Sequence, residues 1–201
     1  KMSKLGIITY DSQVHFYNIN NVGEDIPAVT MSDVDDPFAP LPASALLINV
    51  AQGKDRIMQL IDMLVEVFLG NPREIDEDGN GPGSGLYRGP KYLKNNNAFG
   101  AAVEATAKSL DSVGGRILAF QSSLPTVGKG NMQNREDTRL YGRNAEVTMW
   151  YADEKTPSYK KLGQYCAQKQ ISIDTFSCNS NDEKKKDTPS SGSTPSNFTD
   201  V

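Results

Sequence analysis

The chain has 201 residues, 37% hydrophobic and 23% charged, with 25 acidic against 21 basic side chains for a formal charge of −4. That is enough for one domain with a real core, and the acidic balance gives no basic excess to attract nucleic acid. No apolar run has the length of a bilayer-crossing helix, and Lys1-Met2-Ser3-Lys4-Leu5 has a charged start without the apolar stretch of a leader peptide behind it.

Leu5 to Tyr10 and Val14 to Ile19 are β-rich runs separated by Asp11-Ser12-Gln13, which predicts an antiparallel hairpin. Ala28 to Met31 predicts a further short strand, leading into Ser32-Asp33-Val34-Asp35-Asp36-Pro37-Phe38-Ala39-Pro40-Leu41-Pro42. Proline fixes φ and biases its predecessor towards extended backbone, so this acidic-proline segment is a semi-rigid loop. Two roles are open for its aspartates: ligation of a metal or phosphoryl group, or turn capping, with Asp33 and Asp36 as caps and Pro37, Phe38 and Leu41 packing on the domain. Leu46 to Val50 reads as a short strand or an extended lead-in.

From Lys54 the period changes. Ile57, Leu60, Ile61, Leu64, Val65 and Phe68 recur at three and four residues, predicting an amphipathic helix with a wide buried stripe that Gly70 and Pro72 stop. A second helix carries Phe99, Ala102, Val103, Thr106 and Leu110 on one face and ends before Gly114-Gly115. The apolar run Ile117-Leu118-Ala119-Phe120 predicts a parallel-sheet strand buried on both faces. Thr156-Pro157 has the pattern of a helix start, ahead of Tyr159, Leu162 and Cys166, and Ile171 to Phe176 alternates as a strand. Helix followed by strand, repeated, predicts an α/β domain with a mixed sheet. Residues 75–97 and 179–197 carry too little apolar matter to order themselves and read as surface insertions in a single domain spanning 1–201. Cys166 and Cys178, without a CxxC, predict reduced thiols rather than a zinc site or disulfide framework.

Tests for catalytic machinery come out negative. The single histidine, His15, lies inside a predicted strand with no identifiable partners for a nucleophile-and-base system. Gly128-Lys129-Gly130 lacks the Ser or Thr that a phosphate loop uses to reach magnesium. The acidic-proline loop lacks the glycine and closing glutamate of a calcium loop. Its Asp-x-Asp is stiffened by Pro37, where a phosphotransferase needs a flexible turn. Between Leu124 and Val147 a long loop carries Lys129, Arg135, Arg139 and Arg143 against Glu136, Asp137 and Glu146. It is either a solvated polar loop or a surface for carboxylate ligands, which guanidinium forks match bidentately.

Several segments together resemble a known family. They are Leu5-Gly6-Ile7-Ile8-Thr9-Tyr10-Asp11-Ser12 with Val14-His15-Phe16-Tyr17, the acidic-proline loop, Gly114-Gly115-Arg116-Ile117 with Phe120-Gln121, Leu124-Pro125 with Gly128 and Gly130, Arg135-Glu136-Asp137, and Tyr159-Lys160-Lys161-Leu162 with Cys166. In this order and spacing the chain resembles the trunk of the cargo-selecting inner-coat subunit of COPII vesicles, a von Willebrand factor A-like domain. The resemblance implies a mixed, mostly parallel sheet flanked by helices with one antiparallel edge hairpin. It also implies a first core strand before Lys1, closing helices after Val201, and a zinc finger outside this chain, so no cofactor within it.

The implied function is that of a non-enzymatic coat adaptor. It pairs with the coat's GTPase-activating subunit, rides on membranes bearing the small coat GTPase at the cytosolic face of ER exit sites, and captures export signals of cargo for ER-to-Golgi transport. The resemblance places Arg135 near a pocket for acidic export signals, with Arg139 and Arg143 as further candidates; it implies no catalytic residue and no metal ligand. The readings from other classes are a metal-dependent ligand-binding A domain and an Asp-dependent phosphotransferase.

Overall fold

The computed structural model describes residues 3–69, 96–133, 135, 137–150 and 158–178. In chain order its elements are β1 (Lys4–Leu5), β2 (Ile8–Tyr10), β3 (Val14–Tyr17), β4 (Ala28–Met31), α1 (Ala43–Leu46), β5 (Ile48–Asn49), α2 (Lys54–Leu69), α3 (Phe99–Ser109), β6 (Gly115–Gln121), α4 (Val147–Trp150), α5 (Ser158–Gln168) and β7 (Ile171–Ser177). Two single-turn 3-10 helices at Thr138–Leu140 and Asn144–Glu146 precede α4.

The predicted hairpin is present and extends to a three-stranded antiparallel meander, β2-β3-β4, because Ala28–Met31 adds to β3. Of Leu46 to Val50, Ile48–Asn49 is the short strand, pairing antiparallel with β1, whereas Leu46 closes the helical turn α1, which neither expectation had. β6 and β7 form a parallel pair in register from Gly115↔Ile171 to Gln121↔Ser177. The chain is mixed α/β as expected, but the described strands form three small sheets with one parallel pair, not one mostly parallel sheet.

α3 is the hub. Phe99, Val103, Ala107 and Leu110 pack with Ile117, Ala119, Leu162, Cys166 and Ile171, whereas Ala98, Ala101, Ala102 and Ala105 pack with Val14, Phe16, Met31 and Leu46. Large residues thus face the parallel pair and alanines face the meander, whose strands approach closely for want of side-chain bulk. The one-face expectation for this helix falls short: it is covered from two sides. Its C-terminal turn is finished by Gly114, whose positive φ of 64° suits glycine and whose N–H donates to the Leu110 carbonyl at 2.8 Å.

α2 buries a narrower stripe than its period suggests. Ile57 and Leu60 join Tyr17, Ile19 and Ile26 in a third cluster, with Leu64 packed against it, while Ile61 and Val65 face solvent. The Phe68 side chain, Gly70, Pro72 and the Thr156-Pro157 helix start lie outside the described residues. Arg56 leaves the helix towards residues 19–25, where its guanidinium donates to the carbonyls of Ile19, Asn21, Gly23, Glu24 and Asp25.

β6 corrects another expectation. Ile117 and Ala119 are buried, but Leu118 and Phe120 are exposed, so only one face of the strand is covered. Phe120 stacks instead on Phe176 of β7, which is also exposed, rings 4.8 Å apart. Most of the two predicted insertions falls outside the described residues, but Asn97, assigned to the first, is buried and structural. Its Oδ1 accepts from the Phe99 N–H at 2.9 Å, and its Nδ2 donates to Ser123.

Candidate functional site

The acidic-proline loop, α3 and the segment from Leu124 meet at one corner. Gly128 sits at φ 71°, and a Cβ there would lie 2.6 Å from the Val34 carbonyl oxygen, so only glycine allows the approach. The next residue, Lys129, donates its N–H to that carbonyl at 2.8 Å. Its Nζ reaches Glu104 at 2.7 Å, and Lys108 reaches the same Oε1 at 3.1 Å while also donating to the Pro37 carbonyl. Glu104 is only 13% exposed, so this acid with two cations is a partly desolvated clamp across three segments. Tyr159 closes the corner by donating its hydroxyl to the Gly130 carbonyl at 2.8 Å, and burial raises its phenol pKa.

Within the acidic-proline loop, Asp33 Oδ1 accepts from the Asp36 N–H at 3.1 Å. Asp33 is therefore a turn cap, as expected; Asp36 supplies the N–H of that turn rather than a second cap. Pro37 is fully buried and Leu41 half-buried against the meander cluster. Phe38, expected to pack, is 50% exposed: it follows a buried proline, and its N–H is turned to the Met31 Sδ. Among the described residues no three His, Cys, Asp or Glu side chains group closely enough to hold a metal ion.

The arginine loop is organised by its acids. Asp137 Oδ1 accepts from the Arg139 N–H at 3.0 Å at the start of the first 3-10 helix, and Glu146 Oε2 accepts from the Gly142 N–H at 2.8 Å. Both carboxylates are therefore committed to backbone donors. Glu136 lies outside the described residues. Arg135, Arg139 and Arg143 are all exposed, Arg139 inside the first 3-10 helix and Arg143 at the start of the second. Among the described residues none of the three takes part in an ion pair, whereas Lys129 is consumed by Glu104. Three guanidiniums on one loop, in no ion pair among the described residues, have the chemistry to match a carboxylate-bearing ligand.

Sequence reasoning missed one arrangement. His15 has a hydroxyl and a carboxylate on its two ring nitrogens, Thr30 Oγ1 at 3.0 Å from Nδ1 and Asp11 Oδ1 at 3.6 Å from Nε2. His15 and Thr30 are direct cross-strand partners, and Asp11 Oδ1 already accepts from the Gln13 N–H at 2.8 Å. With the carboxylate beyond hydrogen-bond reach of the imidazole, this is a sheet-surface pair and a tight turn, not an activated nucleophile. The register that joins Thr30 to His15 is what sequence alone does not give.

Comparison with known proteins bears on most of the chain. The family model of the Sec23/Sec24 trunk domain matches residues 1–82 and 84–182. Protein transport protein SEC24 A of Arabidopsis thaliana is 31% identical over 175 residues, covering 87% of this chain and 14% of the relative. Human Protein transport protein Sec24B is 32% identical over 174 residues, covering 87% of this chain and 12% of the relative. The chain thus spans a small part of the curated relatives it matches. The crystal structure of the human COPII-coat protein Sec24c superposes with a TM-score of 0.68 at 24% identity, covering 88% of this chain and 20% of that one, a likeness of fold.

Proposed function

The chain belongs to the Sec23/Sec24 trunk domain family, and from that premise we propose that it serves as the trunk of a non-enzymatic COPII coat adaptor in ER-to-Golgi vesicle transport. The observation that carries the reading is the family match running through nearly all the chain up to residue 182, joined to relatives that are Sec24 proteins. On this reading the fold is von Willebrand factor A-like. The trunk pairs with the GTPase-activating inner-coat subunit, sits with the small coat GTPase on the cytosolic face of ER exit-site membranes, and holds cargo export signals. It carries out no turnover of its own and needs no cofactor in these residues; the zinc finger of the family lies elsewhere in the protein. The test is a pull-down of the full-length protein with the GTPase-activating coat subunit. Retention at equal stoichiometry is the expected result, and no retention under conditions where a bona fide coat pair forms would sink the reading.

Cargo selection is assigned to Arg135, Arg139 and Arg143. Each is exposed, and an exposed ion pair contributes only ~0.2–1 kcal/mol, so one arginine alone is a weak selector. Acting on one ligand, three such pairs reach the ~1.4 kcal/mol of a tenfold effect. Arg135→Ala should therefore weaken binding of a di-acidic export peptide by about two- to fivefold, and the triple alanine variant by roughly tenfold or more, with affinity falling as salt rises. A triple variant that binds like the parent in a peptide titration would reduce these arginines to a solvated loop.

A further inference from the structure

α2 presents a second apolar stripe that the core of the described residues does not use. Met58, Ile61 and Val65 lie at i, i+3 and i+7 and are 47%, 38% and 47% exposed, whereas Leu60 on the opposite side is fully buried. Interleaved with them are Asp55, Asp62 and Glu66, which with Met58, Gln59 and Met63 line a shallow cleft along the helix. Among the described residues none of these three carboxylates is in an ion pair. The one arginine of the helix, Arg56, is turned away to the carbonyls of residues 19–25.

Helix stability does not explain the acids. A carboxylate favours the N-terminal turn, where Asp55 sits, but Glu66 lies in the last four residues, at the negative end of the macrodipole, with no basic residue in that turn. Lys or Arg at i+4 would stabilise the helix, but Asp55 has Gln59 there and Asp62 has Glu66, a like-charge pair that costs stability. Instead, apolar residues at i, i+3 and i+7 run along one ridge beside carboxylates that pair with no cation among the described residues, the spacing by which one helix reads another.

We propose that this outward face of α2 is a docking surface for a basic amphipathic helix of a partner protein. Charge complementarity selects the occupant. A second copy of the chain would set Asp55, Asp62 and Glu66 against their own counterparts, and an anionic membrane would be repelled by all three. A helix with Lys or Arg flanking an apolar stripe meets both components of the ridge at once. The surface is separate from the arginine loop and does not depend on the cargo reading.

The probe is a synthetic leucine/lysine amphipathic helix about as long as α2, compared with a leucine/glutamate counterpart and with a lysine/leucine peptide of the same composition interrupted by proline. Titrated against the full-length protein, the leucine/lysine helix should bind at least roughly tenfold more tightly than either control and weaken as salt rises. Asp62→Lys/Glu66→Lys and, separately, Met58→Ser/Ile61→Ser should each cost roughly fivefold or more, with thermal unfolding unchanged because all four side chains face solvent. Equal binding of the proline-interrupted peptide, or loss in the charge variant without loss in the apolar one, would leave only a diffuse acidic surface and overturn the proposal. A concentration-dependent dimer dissolved by Met58→Ser/Ile61→Ser would overturn it in favour of self-association.

Discussion

Phe38 and Asp33 stand five residues apart, and their exposures invert the order of importance that their side chains suggest. A buried Phe truncated to Ala costs ~3–5 kcal/mol, but Phe38 is half-exposed, which removes most of that penalty. Asp33 caps the Asp36 N–H, and loss of a cap costs ~0.5–2 kcal/mol. Chemical denaturation should therefore rank Asp33→Ala as destabilising as Phe38→Ala or more so, with Pro37 as the position in this loop that tolerates least. A second residue-scale expectation concerns Tyr165, whose hydroxyl donates to Asp111 at 2.8 Å while Lys169 holds the same oxygen at 2.6 Å. Burial and that carboxylate push the phenol from its ordinary 10.0 up to about 12, and Lys169 and Tyr165 together hold Asp111 below the usual carboxylate range. A raised phenol pKa means that the folded state favours the neutral form. Its contribution is complete below pH 10 and lost as pH rises towards about 12. The stability gap between the parent and Tyr165→Phe should close over that window, and ultraviolet titration should show one fewer late-ionising tyrosine in the Phe variant than in the parent, where half-buried Tyr159 also ionises late. No trace of this triad was visible in the sequence, since Asp111 and Tyr165 are brought together only by the packing of α3 against α5.

Among the elements, those whose evidence is local were legible and those whose evidence is distant were not. The Val14 to Tyr17 strand, the period of α2 and the glycines that end α3 all declare themselves within a few residues. Whether Leu118 and Phe120 are covered depends on what packs over β6, and an apolar run reads alike in either case. Asn97 ends a stretch with too little apolar matter to predict order, yet its partners, Ser123 and Thr126, lie far along the chain. The arginine loop was legible as a composition, but not the commitment of Asp137 and Glu146 to backbone donors, which keeps these two acids from pairing with its guanidiniums. Gly100 gives the sharpest element-scale test. Alanine is a better helix former than glycine by ~0.8–1 kcal/mol, so propensity alone predicts that Gly100→Ala stabilises α3. A Cβ at Gly100, however, would meet the Lys129 carbonyl oxygen at 2.2 Å, and backbone there is held by its bond to Val34. Overpacking of this kind costs ~1–3 kcal/mol, so the sign reverses and the melting temperature should fall. A rise would show that the corner can relax.

At the scale of the whole molecule, among the described residues the meander and the parallel pair are joined through one helix, α3, and that arrangement governs how the domain comes apart. No partial opening can free the amides of α3 without separating the parallel pair on one flank or the meander on the other. Protection against solvent exchange is set by the easiest opening that exposes an amide, so α3 should trade its hydrogens last, near the limit set by global unfolding. The β1–β5 pair, two residues a side, should trade first. Mass-resolved hydrogen–deuterium exchange on the full-length protein checks this directly, and peptides from 99–109 exchanging as early as those covering 4–5 would contradict it. A helix that opens only with everything else also gives damage no place to stay local. Lesions along Ala98, Ala101 and Ala105 should lower the steady-state amount of the protein in cells, because unfolded chains are cleared, while lesions at exposed Leu118 or Phe120 should leave abundance intact.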